Sequence, residues 1–167
     1  MQKIYIAGPD VFELNSIEIG QKYKKLCQKY GFIGLYPLDN EVNFNQNPQK
    51  IAKDIYKANI NLIHESDIVI ANLNSFRGKE ADSGTVWECG YAHALGKKVY
   101  AYMKKTHPYI QNFQNDETIL NKTHGVLDLD NRVIENFNLP LNLMLGCSIE
   151  KIIKGDFETV LKEISET

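Results

Sequence analysis

The run Asp67-Ile68-Val69-Ile70-Ala71-Asn72-Leu73 constrains the fold more than any other stretch of the chain. Four apolar residues follow one another without polar alternation, so a strand built from them is apolar on both faces. Such a strand needs cover on both sides, as in a parallel sheet sandwiched between helices. The flanking sequence supplies the partners. Lys3-Ile4-Tyr5-Ile6-Ala7 reads as a first strand stopped by Gly8-Pro9, and Phe32 to Tyr36 as a short second strand stopped by Pro37. Apolar residues recur at helical spacing over about 15–30 (Ile17, Tyr23, Leu26, Cys27, Tyr30), with Gly31 as the stop, and over about 48–65 (Ile51, Ile55, Ala58, Ile60, Leu62). After the apolar strand come a polar loop from Asn74 to Asp82, a helix ending at Gly96, and a fourth strand from Lys98 to Met103. The stretch from Lys104 to Leu139 is polar and weakly periodic, which predicts loops with room for one helix. Leu143 to Ser148 predicts the fifth strand, and Phe157 to Ile164 a closing helix. This alternation predicts an α/β fold: a doubly wound, flavodoxin/Rossmann-like, mostly parallel five-stranded sheet with helices on both faces. No repeat, low-complexity segment or linker divides the chain, so residues 1–167 are expected to form one domain.

In that topology the loops after the strands converge on one edge of the sheet, where open α/β sheets hold their ligands. The first loop brings Gly8, Pro9, Asp10 and Phe12, and the second Asp39 and Asn40. The third brings Asn72, Asn74, Ser75, Phe76, Arg77 and Gly78, and the helix after it Asp82, Gly84 and Glu88. Several chemistries lack their motif: there is no GxxxxGK phosphate loop, no GxGxxG after the first strand and no GxSxG elbow. The histidines at 64, 93, 107 and 124 lack ligand spacing, and neither a metal nor a cofactor is expected. The three cysteines, Cys27, Cys89 and Cys147, are isolated and odd in number, which fits a reduced compartment, and each reads as a small buried apolar residue. A net charge of −2 with no basic run argues against a nucleic-acid or membrane-surface partner. No apolar stretch is long enough to span a bilayer, and the N-terminus enters a strand without a signal-peptide pattern, so a cytoplasmic location is expected.

Carboxylate chemistry remains. Asp82 and Glu88 fall at the start of a helix beside the ligand edge, and Glu88 has no basic neighbour in sequence, as expected of a nucleophile or an acid/base group. Glycosyl transfer through an oxocarbenium-like transition state uses such a pair: a carboxylate on one face of the sugar and a proton donor at the leaving group. The helix terminus is expected to keep the nucleophile ionised, by about 0.3–1 kcal/mol. Plainer readings stand beside these. Asp82 with Ser83 reads equally as a helix cap. Glu88 could be a solvated surface charge, Asp39 a turn former, and Arg77-Gly78 a solvated loop. Tyr5 and Trp87 read as core packing.

Five motifs in order carry a resemblance. They are Ile4-Tyr5-Ile6-Ala7-Gly8-Pro9; Pro37-Leu38-Asp39-Asn40; Ala71-Asn72-Leu73-Asn74-Ser75-Phe76-Arg77-Gly78; Asp82-Ser83-Gly84-Thr85-Val86-Trp87-Glu88-Cys89-Gly90; and Leu139-Pro140-Leu141-Asn142-Leu143-Met144. Over nearly its whole length the chain resembles the nucleoside 2-deoxyribosyltransferase family. The resemblance implies transfer of 2-deoxyribose from a 2′-deoxynucleoside to a free purine or pyrimidine base by double displacement. Glu88 matches the nucleophile that attacks C1′ and holds the sugar covalently. Asp82 matches the aspartate that contacts the base and handles its proton, and Tyr5 a tyrosine that holds the nucleophile. Gly8, Phe12, Asp39 and Gly84 fall at substrate-binding positions. Asn142, with Met144 beside it, matches an asparagine contributed by a neighbouring subunit, which implies a homo-oligomer, a hexamer by resemblance. Asn59 stands where some members carry an aspartate facing the base, a departure that leaves base preference open. Some members end on a tyrosine whose carboxylate reaches the site. This chain ends Ser165-Glu166-Thr167, and that role is not carried over.

Two other functions stay open at this point. An N-glycosidase would use the same carboxylates with water as acceptor, on a nucleoside or a deoxynucleotide; Asp10 in the first loop would repel a phosphate and favours the nucleoside. A binding module would hold a nucleoside or sugar-nucleotide without turnover.

Overall fold

A computed structural model of the chain describes residues 1–166; the final residue, Thr167, lies outside the described residues. Five strands form one parallel sheet: β1 (Lys3–Ala7), β2 (Ile33–Leu35), β3 (Ile68–Asn72), β4 (Lys98–Met103) and β7 (Lys151–Lys154), in the order β2-β1-β3-β4-β7. The helices are α1 (Ser16–Lys29), α2 (Pro48–Glu65), α3 (Ser83–Ala94), α4 (Leu143–Ser148) and α5 (Phe157–Ser165). This is the expected doubly wound sheet.

Side chains alternate across it as the pleat dictates. Tyr5, Ala7, Val69, Ala71, Val99 and Ala101 face one side and pack with Ile63 of α2, Cys89 and Ala92 of α3, and Leu145 of α4. Ile4, Ile6, Ile68, Ile70 and Tyr102 face the other and pack with Cys27 of α1 and Phe157, Val160 and Leu161 of α5. The two clusters account for the unbroken apolar run of β3, and Val69, Ile70 and Ala71 are fully buried.

The last third of the chain departs from expectation. Leu143–Ser148 is a helix, not the fifth strand. Asn142 caps it, its side chain accepting from the Met144 amide at 3.0 Å. Leu141, Leu145 and Ile149 reach the core at a spacing of four, a helical period that a short apolar run does not distinguish from a strand. The fifth strand of the sheet is β7, which buries Ile153 against the α5 cluster. The polar stretch holds no α-helix but two 3₁₀ turns and an antiparallel hairpin, β5 (Thr118–Asn121) with β6 (Gly125–Asp128). Asn121 organises its turn, its side chain accepting from the Thr123 and His124 amides at 2.9 Å each. Cys27 and Cys89 are buried as expected, and Cys147 is exposed.

Trp87 is not core packing either. It is 48% exposed, stacks on Tyr91 one helical turn on at 5.1 Å, and meets Tyr56 of α2 edge-on. Residues four apart share a helix face, so the pair forms a surface ladder rather than a plug in the core.

One close approach sets the second loop. Gly20 of α1 lies against the ring of Tyr36, and a β-carbon there would fall 2.3 Å from a ring atom. Alanine favours a helix interior by about 1 kcal/mol over glycine, whereas overpacking a rigid ring costs about 1–3 kcal/mol. Gly20→Ala is therefore expected to destabilise the protein, and a lower urea midpoint with an unchanged slope is the outcome that checks it.

Candidate active site

The carboxyl edge of the sheet carries a cavity of about 520 Å³. Six candidate residues line it: Gly8, Phe12, Asn59, Asp82, Gly84 and Glu88. Tyr5 lies beneath, fully buried in β1, and its hydroxyl donates to Glu88 Oε1 at 2.6 Å. A phenol hydroxyl left unpaired in that position would cost about 1–3 kcal/mol. Glu88 is the partner, so the centre of the sheet aims the carboxylate at the cavity.

Burial governs the charge on Glu88. Desolvation raises its pKa, the Tyr5 hydrogen bond opposes that, the nearby Asp82 charge adds to it, and the net result is about 7 against an ordinary 4.5. The expected help from the helix terminus is outweighed, because Glu88 sits in the second turn, beyond the amides where the dipole acts. Tyr5 is itself pushed up, first by burial and then by the Glu88 carboxylate.

Asp82 is the helix cap of the plainer reading and also stands on the cavity wall. It is the N-cap of α3, and its Oδ2 accepts from the amide and the hydroxyl of Thr85, each at 2.8 Å. Both bonds fall on one oxygen, and Asp82 also lines the cavity, so Oδ1 is left for a ligand. Gly84 fits close against it, where a β-carbon would lie 3.2 Å from Asp82 Oδ2. Gly8 is required by a tighter approach: a β-carbon would sit 2.6 Å from Asp10 Oδ2 and 2.9 Å from Asn72 Cβ. Asn59 of α2 presents a side-chain oxygen that is buried and has no hydrogen-bond partner among the described residues.

The remaining candidates lie elsewhere. Asp39 does not line the cavity; it pairs with Lys24 and accepts from the Tyr36 amide, as a turn former does. Its neighbours Pro37, Leu38 and Asn40 form the wall instead. Asn142 and Met144 line a second cavity of about 500 Å³, on a different stripe of α3 marked by Ser83, Val86, Gly90 and His93. Asp10 is not part of the lining of the main cavity. It accepts from Tyr23 and Asn72, at 3.1 and 2.9 Å, neutral donors that leave its charge in place beside Gly8 of the cavity wall. Among the described residues no group of His, Cys, Asp or Glu gathers in a way that could hold a metal ion, and no helix is long and apolar enough to cross a membrane.

Much of the wall is apolar and was not singled out from sequence: Val11, Ile17, Leu38, Val42, Phe44 and Ile55. Ile17 and Ile55 had been absorbed into helical apolar patterns, yet they are 65% and 39% exposed. Val42 and Phe44 carried a usable signal, two apolar residues inside a polar loop with no core to join.

The buried carboxyl has a measurable consequence. The folded protein keeps the Glu88 proton up to about pH 7, whereas an unfolded glutamate releases it near 4.5. Stability therefore falls as pH rises between those values, and above them the cost of the buried charge is complete. Glu88→Gln is expected to be more stable than the parent by about 1–3 kcal/mol at about pH 8, with the gap closing by about pH 5. Urea midpoints at the two pH values check this.

The family model described as nucleoside 2-deoxyribosyltransferase matches residues 4–144. Among solved structures, a 2-deoxyribosyltransferase from Leishmania mexicana is 32% identical and superimposes with a TM-score of 0.75, over 99% of this chain and 98% of that one. A 2-deoxyribosyltransferase from Bacillus psychrosaccharolyticus, 21% identical with a TM-score of 0.60, covers 95% of this chain and 90% of its own. A conserved protein from Enterococcus faecalis, 24% identical with a TM-score of 0.65, covers 99% and 98%. At those identities the last two show the fold alone. An uncharacterized protein of Schizosaccharomyces pombe is 29% identical over 102 residues, 59% of this chain and 48% of that protein, so the chain spans about half the length of the curated relative it matches. With the family match running from β1 into α4, the chain belongs to the nucleoside 2-deoxyribosyltransferase family.

Proposed function

We propose that this protein transfers 2-deoxyribose between nucleobases through a covalent intermediate on Glu88. The observation that carries the reading is the Tyr5–Glu88 hydrogen bond at 2.6 Å, with the Glu88 carboxyl lining the cavity and Asp82 on the same wall. In the first half-reaction a Glu88 carboxylate oxygen attacks C1′. The N-glycosidic bond breaks, its electron pair leaves with the base, and Asp82 handles the proton at the base nitrogen. In the second half a new base nitrogen attacks C1′ from the vacated face and passes its N–H proton to Asp82, which thereby recovers the proton it gave the departing base. The bond to Glu88 breaks, the carboxylate is restored, and two inversions return the β-anomer.

Asn59 offers an unpaired buried oxygen where the base would lie, and the apolar wall suits the flat faces of base and sugar. Asn142 is separated from this cavity within one chain, which supports its role as a contribution to a neighbouring subunit's site in a homo-oligomer. The corresponding biological role is salvage of deoxynucleosides.

The direct test is incubation with 2′-deoxyinosine or thymidine as donor and free adenine or cytosine as acceptor, followed by chromatography. A new deoxynucleoside is expected only when acceptor is present; free base released equally without it would move the assignment to an N-glycosidase. Glu88→Ala should abolish turnover, and intact mass spectrometry of the parent incubated with donor alone should show the added deoxyribosyl group.

The pH profile tests the chemistry independently. The nucleophile must be ionised, so the rate is expected to fall below about pH 7. Tyr5→Phe removes the one interaction that lowers the Glu88 pKa, and its acid limb should move to higher pH. A limb that stays in place would detach Tyr5 from the nucleophile.

A further inference from the structure

Phe12 is a wall of the cavity, yet it is 56% exposed and belongs to neither core cluster of the described residues. Its neighbour is the loop between β3 and α3. Phe76 stacks on Phe12 with centroids 5.5 Å apart and planes 16° from parallel. The Arg77 guanidinium lies over both rings, 5.2 Å from the centroid of Phe12 and 4.6 Å from that of Phe76. Arg77 makes no ion pair among the described residues, so its charge is directed at the two π-faces.

The loop is built to put it there. Arg77 has φ 51, a left-handed conformation that is unusual for a side-chain-bearing residue, and Gly78 follows at φ 152. The turn is closed by the Phe76 amide donating to the Glu80 carbonyl at 2.8 Å and by the Ser75 hydroxyl donating to the Lys79 carbonyl. Lys79 anchors the other side, donating to the Asn112 carbonyl and pairing with Glu117. The strained residue is thus held from both flanks, as backbone strain near a functional site requires.

We propose that Arg77 is a positioning residue: by clamping Phe76 onto Phe12 it fixes the Phe12 ring against the cavity before the nucleoside arrives. The inference rests on the proposed deoxyribosyl transfer. A ring already ordered loses no rotamer freedom when substrate packs on it, so the clamp acts on binding in ground and transition states alike. Releasing it should therefore raise KM and leave kcat alone.

The experiment is steady-state kinetics with 2′-deoxyinosine as donor and adenine as acceptor, on the parent, Arg77→Ala, Arg77→Lys and Phe76→Leu. Arg77→Ala and Phe76→Leu are each expected to raise the donor KM about three- to tenfold with kcat within about twofold, in line with one aromatic or cation–π contact. Arg77→Lys should fall between, because an ammonium lacks the planar guanidinium face. Thermal midpoints should stay close to that of the parent, since Arg77 is exposed. An unchanged KM in both Arg77→Ala and Phe76→Leu would overturn the clamp while leaving the transfer reading intact. A loss confined to kcat would also overturn it, since Arg77 would then act on the reacting atoms. Absence of any transfer by the parent would overturn the underlying reading instead.

Discussion

A single hydrogen bond joins the core of this protein to the cavity at the edge of its sheet. Tyr5 occupies the middle of the sheet, and its hydroxyl is the one polar atom that β1 carries into the α3 side of the core. The demand that such an atom be paired brings Glu88 to that spot, and the position of Glu88 in turn dictates the register of α3 over the sheet. Moving α3 by one residue would leave the phenol unpaired, bury a different side chain and take the carboxyl out of the cavity. Packing of the core and placement of the carboxyl in the cavity are satisfied by one contact, and neither can drift without the other.

The same contact balances two opposing effects on the carboxyl. Burial favours the neutral acid, and the phenol favours the anion. A carboxylate left fully solvated would ionise readily but be weakly nucleophilic under its hydration shell; one buried without a donor would stay protonated. Glu88 stands between these limits. Asp82 is arranged differently, with one oxygen engaged in capping α3 and the cavity beside the other. Two carboxylates on one helix thus have distinct surroundings, which the proposed division into acid and nucleophile requires.

The sheet was legible because its signals are redundant. The apolar run of β3, the Gly8-Pro9 and Pro37 stops and the helical spacing of α2 each imply parallel strands covered on both faces, and the structure agrees with them. The segment around Asn142 was misread because Leu143, Met144 and Leu145 suit a strand or a helix equally, and only the tertiary placement of Leu145 and Ile149 decides. Gly8, Phe12, Asn59, Asp82, Gly84 and Glu88 meet in one cavity; family motifs pointed to Gly8, Asp82, Gly84 and Glu88, and the wider resemblance to Phe12 and Asn59. Asp39 does not, because a motif marks a turn as readily as a ligand contact. Ile17 and Ile55 of the apolar wall were hidden for a different reason: they use the same amino acids as the core and lie on helical apolar patterns, so only exposure separates them from it.

The surface aromatic ladder has a practical corollary. Trp87 is the chain's single tryptophan, it immediately precedes Glu88, and it stacks in the open on Tyr91. Its indole is a built-in fluorophore on the helix that carries the carboxylate, with Tyr91 stacked on it, Tyr56 of α2 edge-on and nearly half its surface in solvent. Small rotations of α3 against α2 would change the contact of Trp87 with Tyr56 and alter the emission, so the helix carries its own optical reporter without any label.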